Sequence, residues 1–357
     1  MSAPADAALS QLREQVLAAV ASGTPLCIRG GGTKDFLGEA RVGEVLDLRG
    51  VAGVVDYDPS ELVITARAGT PLAVIEALLA ERGQHLAFEP PSFGADSTIG
   101  GVVAAGLAGP RRGSVGGVRD FVLGAHLLAV NGEVLRFGGR VMKNVAGFDL
   151  SRLFCGSLGV LGPLVELSLK VLPLPAVECT LEFELSAAAA VVAFNRWSRL
   201  PLPLSATSWF DGRARVRLSG VAPALEAACV SLGGRVMSGD ESRCWWHDLR
   251  HYRLAFHANR APLWRLSLPA TAAPLALSGS GLIEWAGALR WLRTDEEPAR
   301  VRAVVAAVGG SAACWYAPAG QPMFDVLPPA AWALQRRLKA AFDPQALFSR
   351  GRLVVGL

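Results

Sequence analysis

The 357-residue sequence contains no C-x-x-C pair, and its six cysteines, at 27, 155, 179, 229, 244 and 314, are far apart. That spacing argues against an iron-sulfur cluster or structural zinc site held by this chain alone, and no metal ligands are assigned. No apolar run approaches the roughly 20 residues that span a bilayer; stretches such as AAAAVVAF at 187–194 fall well short. Only four of the 35 basic residues are lysine, the arginines are scattered, and the net charge is +4. Without a basic stripe or an aromatic-interleaved patch, nucleic acid is not an expected partner. No G-x-G-x-x-G follows a strand and no Gly-Lys pair occurs, so the Rossmann and Walker fingerprints are both missing. The N-terminus, MSAPADAALSQLREQVLAAVASG, reads as an amphipathic helix broken by charges rather than a signal peptide, and the cytoplasm is the expected compartment.

What is present suits a well-packed protein: 51% of residues are apolar and 18% charged. The length exceeds one hydrophobic core, so two domains are expected. Leu26–Arg29 and Glu44–Leu48 read as strands. Asp58-Pro59-Ser60 is a turn between strand-like runs, and LVITARA alternates Leu62, Ile64 and Ala66 against Val63, Thr65 and Arg67. Thr70 reads as the cap of a helix with Pro71 in its first turn and Gly83 just past its end. Asn131-Gly132 is a two-residue hairpin signal between two strands, and a short helix is expected near Asp149–Phe154. Strand, strand, helix, strand in that order points to a mixed α+β unit. Pro173 and Pro175 close it, and a boundary is placed near residue 175. Beyond it the tryptophan-rich half reads as antiparallel strands with helices, ending in a helix around 330–341.

Two glycine-rich stretches carry the functional reading. PLCIRGGGTK, residues 25–34, puts three glycines after a strand, followed by Thr33 and Lys34. Three glycines give up packing and add backbone entropy, so the chain there bends tightly or lets a ligand approach its backbone. The second stretch, residues 89–117, contains ADSTIGGVVAAG, in which Asp96, Ser97 and Thr98 offer cap groups before Gly100 and Gly101 at a helix start. Unpaired backbone N-H groups in such loops form an anion site, and two loops converging on one extended anion suit a dinucleotide.

PLCIRGGGTK, ADSTIGGVVAAGLAGPRRGSVGGVRDFVLG and GGRVMKNVAGFDLSRLFCGSLGVLGPLVELSLKVLP resemble, in order and spacing, the FAD-binding domain of the vanillyl-alcohol oxidase and p-cresol methylhydroxylase (PCMH) type. Within it the chain is similar to the E-subunit family of bacterial glycolate oxidases. CWWHDLRHYRLAF, GLIEWAGALRWLR and LQRRLKAAFDPQALFSRGRL extend that likeness into the second half. The resemblance implies an α+β fold: a PCMH-type FAD-binding domain of two α+β subdomains over 1–175, an antiparallel-sheet-plus-helices domain over 176–329, and a C-terminal helix and tail, 330–357, returning to the flavin domain. It assigns Arg29, Gly30, Gly31, Gly32, Thr33 and Lys34 to the FAD pyrophosphate. Ala95, Asp96, Ser97, Thr98, Ile99, Gly100 and Gly101 would take its other side and the ribityl chain. Pro90 and Pro91 would lie near the isoalloxazine, and Gly159 and Leu164 would line the buried end. Covalent relatives often carry a histidine in the first loop; here stands Thr33, so FAD is expected to be noncovalent.

The resemblance further implies a glycolate or similar 2-hydroxy acid as substrate, a homologous catalytic flavoprotein subunit and an iron-sulfur subunit as partners, and membrane contact only through that complex. The histidine-rich segment of full-length relatives is missing, and no catalytic residue is assigned. Two readings therefore stand: a dehydrogenase subunit that passes electrons to a partner, or a flavin-binding structural or relay subunit beside a catalytic homologue. The histidines are 85, 126, 247, 251 and 257. His247 and His251, four apart, would share a helix face and read as a surface pair rather than metal ligands. His85 and His126 read as packed core residues. Lys143 and Arg152 read as ion-pair partners in preference to substrate anchors.

Overall fold

A computed structural model of the chain describes residues 3–140, 149–258, 262–315 and 321–357. Lys143 lies outside the described residues. The chain divides into two compact units, the first of Met1–Leu107, Gly117–Pro173 and Val326–Leu357, the second of Ala108–Gly116 and Leu174–Asp325. Among the described residues no helix is long and apolar enough to cross a membrane.

The first unit opens with helix α1 (Ala3–Ser22), which buries Leu12, Val16 and Ala19 along one stripe. Strands β1 (Leu26–Arg29) and β2 (Glu44–Asp47) pair in parallel, with Arg29 opposite Asp47. Next come β3 (Val54–Asp58), β4 (Val63–Arg67), helix α2 (Leu72–Ala80), the short β5 (Gln84–His85) and helix α3 (Ile99–Ala105). Strands β6 (Val122–Leu128), β7 (Val134–Gly138), β8 (Leu164–Lys170) and β9 (Leu172–Pro173) complete the unit with the C-terminal helix, Pro329–Phe342. The main sheet runs β3-β4-β8-β6-β7, antiparallel throughout, and β5 pairs with β9.

All five residues of β4 are buried, although its sequence alternates polar with apolar. The polar face is satisfied rather than solvated: the hydroxyls of Thr65 and Ser168 meet at 2.8 Å, and Arg67 Nη2 lies 2.6 Å from Asp6 Oδ1 on α1. A central strand tolerates such residues only when each polar atom has a partner.

Three local expectations need correction. Thr70 does not cap α2, whose N-cap is Pro71. The hydroxyl instead donates to Arg67 O at 2.6 Å and accepts from Gly53 N at 2.9 Å, fastening the end of β4 to the turn before β3. The hairpin around Gly132 (φ +80°) is longer than two residues, because Ala129 N donates to Glu133 O across a loop of residues 129–133. His85 and His126 are half-buried rather than packed in the core, and His126 Nδ1 lies 3.3 Å from Glu166 Oε1 on the neighbouring strand. The short helix near Asp149 is a single 3-10 turn, Ser151–Phe154. Arg152 Nε pairs with Asp149 Oδ2 at 2.7 Å, as an ion-pair role requires.

The second unit is built on one antiparallel sheet of eight strands. They are β10 (Val177–Glu184), β11 (Leu204–Phe210), β12 (Arg213–Gly220), β13 (Arg235–Val236), β14 (Leu263–Ser267), β15 (Ser280–Glu284), β16 (Leu289–Arg293) and β17 (Ser311–Cys314), in the order β13-β10-β12-β11-β15-β16-β14-β17. Its helices are α4 (Arg112–Val115), α5 (Ala187–Trp197), α6 (Ala222–Leu232), α7 (Gly239–Arg250), α8 (Ala255–Ala258) and α9 (Pro298–Ala307). Helices α5 and α6 press Phe194, Trp197 and Leu225 onto Leu181, Val216 and Leu218 of the sheet. Helix α9 adds Val301 and Val305 to a second cluster around Trp264. Alternation along β12 produces this packing, with Ala214, Val216 and Leu218 all fully buried.

Candidate functional site: a glycine-walled cavity in the first unit

Strand β1 delivers the chain into residues 30–35, where side chains would have no room. A Cβ on Gly31 would stand 1.6 Å from the Asp96 carbonyl oxygen, and one on Gly30 would stand 2.4 Å from Thr98 Oγ1. Gly32 takes φ +71°, the left-handed region that favours glycine, with the Arg29 guanidinium folded against it. The glycines thus let the loop after β1 lie directly on the loop of residues 94–98. From the other side the entry to α3 is fixed by Thr98, whose Oγ1 accepts from Gly101 N at 3.2 Å. Gly100 then packs so closely on the chain leaving β4 that a Cβ would lie 2.7 Å from Ala68 Cβ.

Between these pieces opens a cleft in the first unit, walled by both loops. Its wall includes Arg29, Gly30, Gly31, Gly32, Thr33, Lys34, Thr98, Gly100, Gly101, Gly159 and Leu164. All of these are named by the sequence reading. That reading did not name Ile28, Asp35, Arg41, Leu48, Ala68, Ala104, Ala105, Leu158, Gly162 and Arg352, which also line it. Pro90, Pro91, Ala95, Asp96, Ser97 and Ile99 are not part of this wall. Two of them touch it at one remove, Asp96 through the carbonyl beneath Gly31 and Ser97 through Lys34. Pro90, Pro91 and Ile99 are buried, while Ala95 is exposed.

The electrostatics are one-sided. Four cationic side chains, Arg29, Lys34, Arg41 and Arg352, face one carboxylate, Asp35. Arg29 grips Asp35 through Nε and Nη2, at 3.0 and 2.8 Å from Oδ2, and Arg41 pairs with the same carboxylate. Arg352 donates to the backbone carbonyls of Asp35, at 2.7 Å, and Glu39. Lys34 has no carboxylate partner among the described residues. Its Nζ donates to Ser97 Oγ at 2.9 Å and lies 5.8 Å above the Phe93 ring, and burial lowers its pKa to about 8. Among the described residues, no hydrogen bond takes up the amides of Gly30, Gly31, Gly32, Thr33 or Lys34. Five consecutive N-H groups without a protein acceptor, beside an ammonium without a carboxylate partner, can together receive an anion. They fit the pyrophosphate of a dinucleotide, and the apolar wall of Ala104, Ala105, Leu158 and Leu164 fits flat aromatic surface.

No histidine lines this cavity. His247 and His251 lie at the end of α7 with ring centroids 4.7 Å apart, and His247 Nδ1 is 3.2 Å from Asp248 Oδ1. Among the described residues, no group of three or more side chains is placed to hold a metal ion.

Residues 7–138 match the FAD binding domain family. The chain is 45% identical to glycolate oxidase subunit GlcE of Escherichia coli (strain K12), over 97% of each protein. It is also 36% identical to glycolate oxidase subunit GlcD of Bacillus subtilis (strain 168), over 45% of this chain and 32% of that one. Among solved structures, an alkyldihydroxyacetonephosphate synthase shares the fold with a TM-score of 0.65 at 15% identity, covering 95% of this chain and 74% of the other. The glycine loops, the α+β fold and the near-full-length likeness agree: the chain belongs to the GlcE family of glycolate oxidase subunits, flavoproteins built on an FAD binding domain.

Proposed function

We propose that this chain is the FAD-binding subunit of a multi-subunit glycolate (2-hydroxy acid) oxidase, holding its flavin noncovalently in the glycine-walled cavity. The observation that carries the reading is the row of five free amides from Gly30 to Lys34 beside an ammonium with no carboxylate partner. In this reading the amides and Lys34 bind the pyrophosphate, Arg29 and Arg352 keep the loop in shape, and the apolar wall excludes water from the ring system. What the cofactor supplies when bound is acceptance of a hydride at N5 and its onward release as electrons. The proposed recipients are a homologous catalytic flavoprotein subunit and an iron-sulfur subunit, and membrane contact arises only through them. Oxidation of a 2-hydroxy acid also needs a group to take the hydroxyl proton. The placement of all five histidines away from the cavity wall favours a second reading, in which this subunit relays electrons or supports the complex while its partner performs the chemistry.

An anaerobic visible spectrum separates the two. Flavin bands near 450 nm that bleach when glycolate or D-lactate is added to the isolated chain support catalysis here. Bands that bleach only after partner subunits are added support the relay. A third result bears on attachment: acid precipitation is expected to leave the polypeptide colourless, and yellow colour retained in the pellet would contradict noncovalent binding.

A further inference from the structure

The C-terminal helix buries a charge where an apolar stripe would be expected. Leu334 is 50% exposed, and the one residue of the helix that is fully buried is Lys339. Its ammonium uses all three protons, each at 2.7 Å, on the carbonyls of Val160 and Phe348 and on Asp343 Oδ2. Asp343, itself buried, accepts in addition from Leu347 N at 3.0 Å and Phe348 N at 2.7 Å. The pair is thus fully satisfied, and its hydrogen bonds leave the helix in two directions.

One direction is the turn that carries Gly159, since Val160 O is held by Lys339 one residue from a cavity-wall glycine with φ +79°. The other is the tail after the helix. Leu347 O accepts from Leu26 N and Ser349 N donates to Leu26 O, so the tail meets β1 in one parallel bridge between Phe348 and Leu26. Ser349 Oγ accepts from Ile28 N, and three residues later Arg352 ties the loop of residues 35–39. Ala346 and Ser349 hold φ of +51° and +42°, conformations that non-glycine residues keep only where surrounding contacts enforce them.

We infer that Lys339 and Asp343 form a buried clamp that positions the Gly159 turn and the tail residues 347–352 against the cavity, making both side chains determinants of flavin affinity at one remove. Neither lines the cavity, so they are positioning residues. The inference rests on the flavin reading above. Supporting groups of this kind affect ligand affinity by about 10–100-fold where they have been measured at metal sites.

The test is FAD titration of the purified full chain at a temperature well below melting, with hydrogen exchange on the FAD-free protein. Lys339→Met and Asp343→Asn are expected to raise the FAD Kd on the order of 10–100-fold, with faster exchange confined to residues 157–162 and 346–352. Should either fail to fold, Lys339→Met/Asp343→Leu leaves no unpaired buried charge and is expected to retain the fold while still losing affinity. A purely structural role would lower the melting temperature and leave the Kd of the folded protein unchanged, and that result overturns the clamp. Exchange rising equally throughout the first unit also overturns it. Wild-type chain that binds no FAD would instead overturn the flavin reading.

Discussion

Gly31→Ala is expected to weaken flavin binding on the order of 10²-fold, while the control Gly139→Ala leaves it intact. The added methyl at 31 would sit 1.6 Å from the Asp96 carbonyl oxygen, whereas a Cβ at 139 meets nothing within 4 Å. Ordinary carbon contacts need roughly 3.5 Å, so the two loops must part by more than about 1 Å. Neither can yield easily, because Asp96 belongs to backbone that leads straight into the Thr98 cap of α3. Overpacking of this kind costs about 1–3 kcal/mol of stability, which a domain of this size survives. The loss in binding is of comparable size, since a misplacement of about 1 Å in a positioned group costs on the order of 10²-fold. Flavin content after purification, together with FAD titration, measures both effects. Wild-type affinity in Gly31→Ala would remove the loop from the site.

Lys34→Met has two expected effects of opposite sign. Burial without a carboxylate partner holds the Lys34 pKa to about 8, well below its ordinary value near 10.5. Between those two values the unfolded chain binds the proton and the folded, flavin-free protein does not. Stability from this group therefore rises with pH across that window, and below about 8 the buried charge is a standing cost. Removing the charge is expected to raise the melting temperature of the flavin-free protein at neutral pH. A pyrophosphate favours the protonated form, so wild-type FAD affinity is expected to be flat below pH 8 and to fall above it, by at most about tenfold per pH unit. The methionine variant loses a charge-assisted hydrogen bond, about 1.5–3 kcal/mol or roughly 10- to 150-fold in Kd, and its pH profile is flat. A pH series of Kd and melting temperature reads both. A variant whose affinity keeps the wild-type pH dependence would show that Lys34 does not face the anion.

The parts of the site legible in the sequence are those whose cause is local. Leu26–Arg29 followed by three glycines announces a strand and a close approach, and Ser97-Thr98 before Gly100-Gly101 announces a capped helix start. Thr70 misled for an equally local reason. A threonine before proline satisfies the pattern of a helix cap, but the neighbouring carbonyl of Arg67 and amide of Gly53 compete for the same hydroxyl and win. What could not be read is what arrives from a distance. Arg352 reaches the backbone of Asp35 across 317 residues, and its sequence context, SRGRL, carries no sign of a ligand-binding wall. Lys339 is hidden for a related reason: a lysine on a helix ordinarily marks the solvent face. It turns inward here because three acceptors from separate segments converge where its ammonium lies. Gly162 and Leu158 fall in the same class, since GSLGVLG reads as a loop without showing which cavity it borders.

Hydrogen exchange of the full chain with and without FAD reports where the flavin lies as well as whether it binds. For a flavin held in the glycine-walled cavity, strong slowing is expected at residues 30–34, whose amides meet no acceptor among the described residues, with weaker slowing at 98–105, 158–164 and 349–352. Saturating FAD that leaves residues 30–34 exchanging as fast as before, or that protects only the second unit, would contradict it.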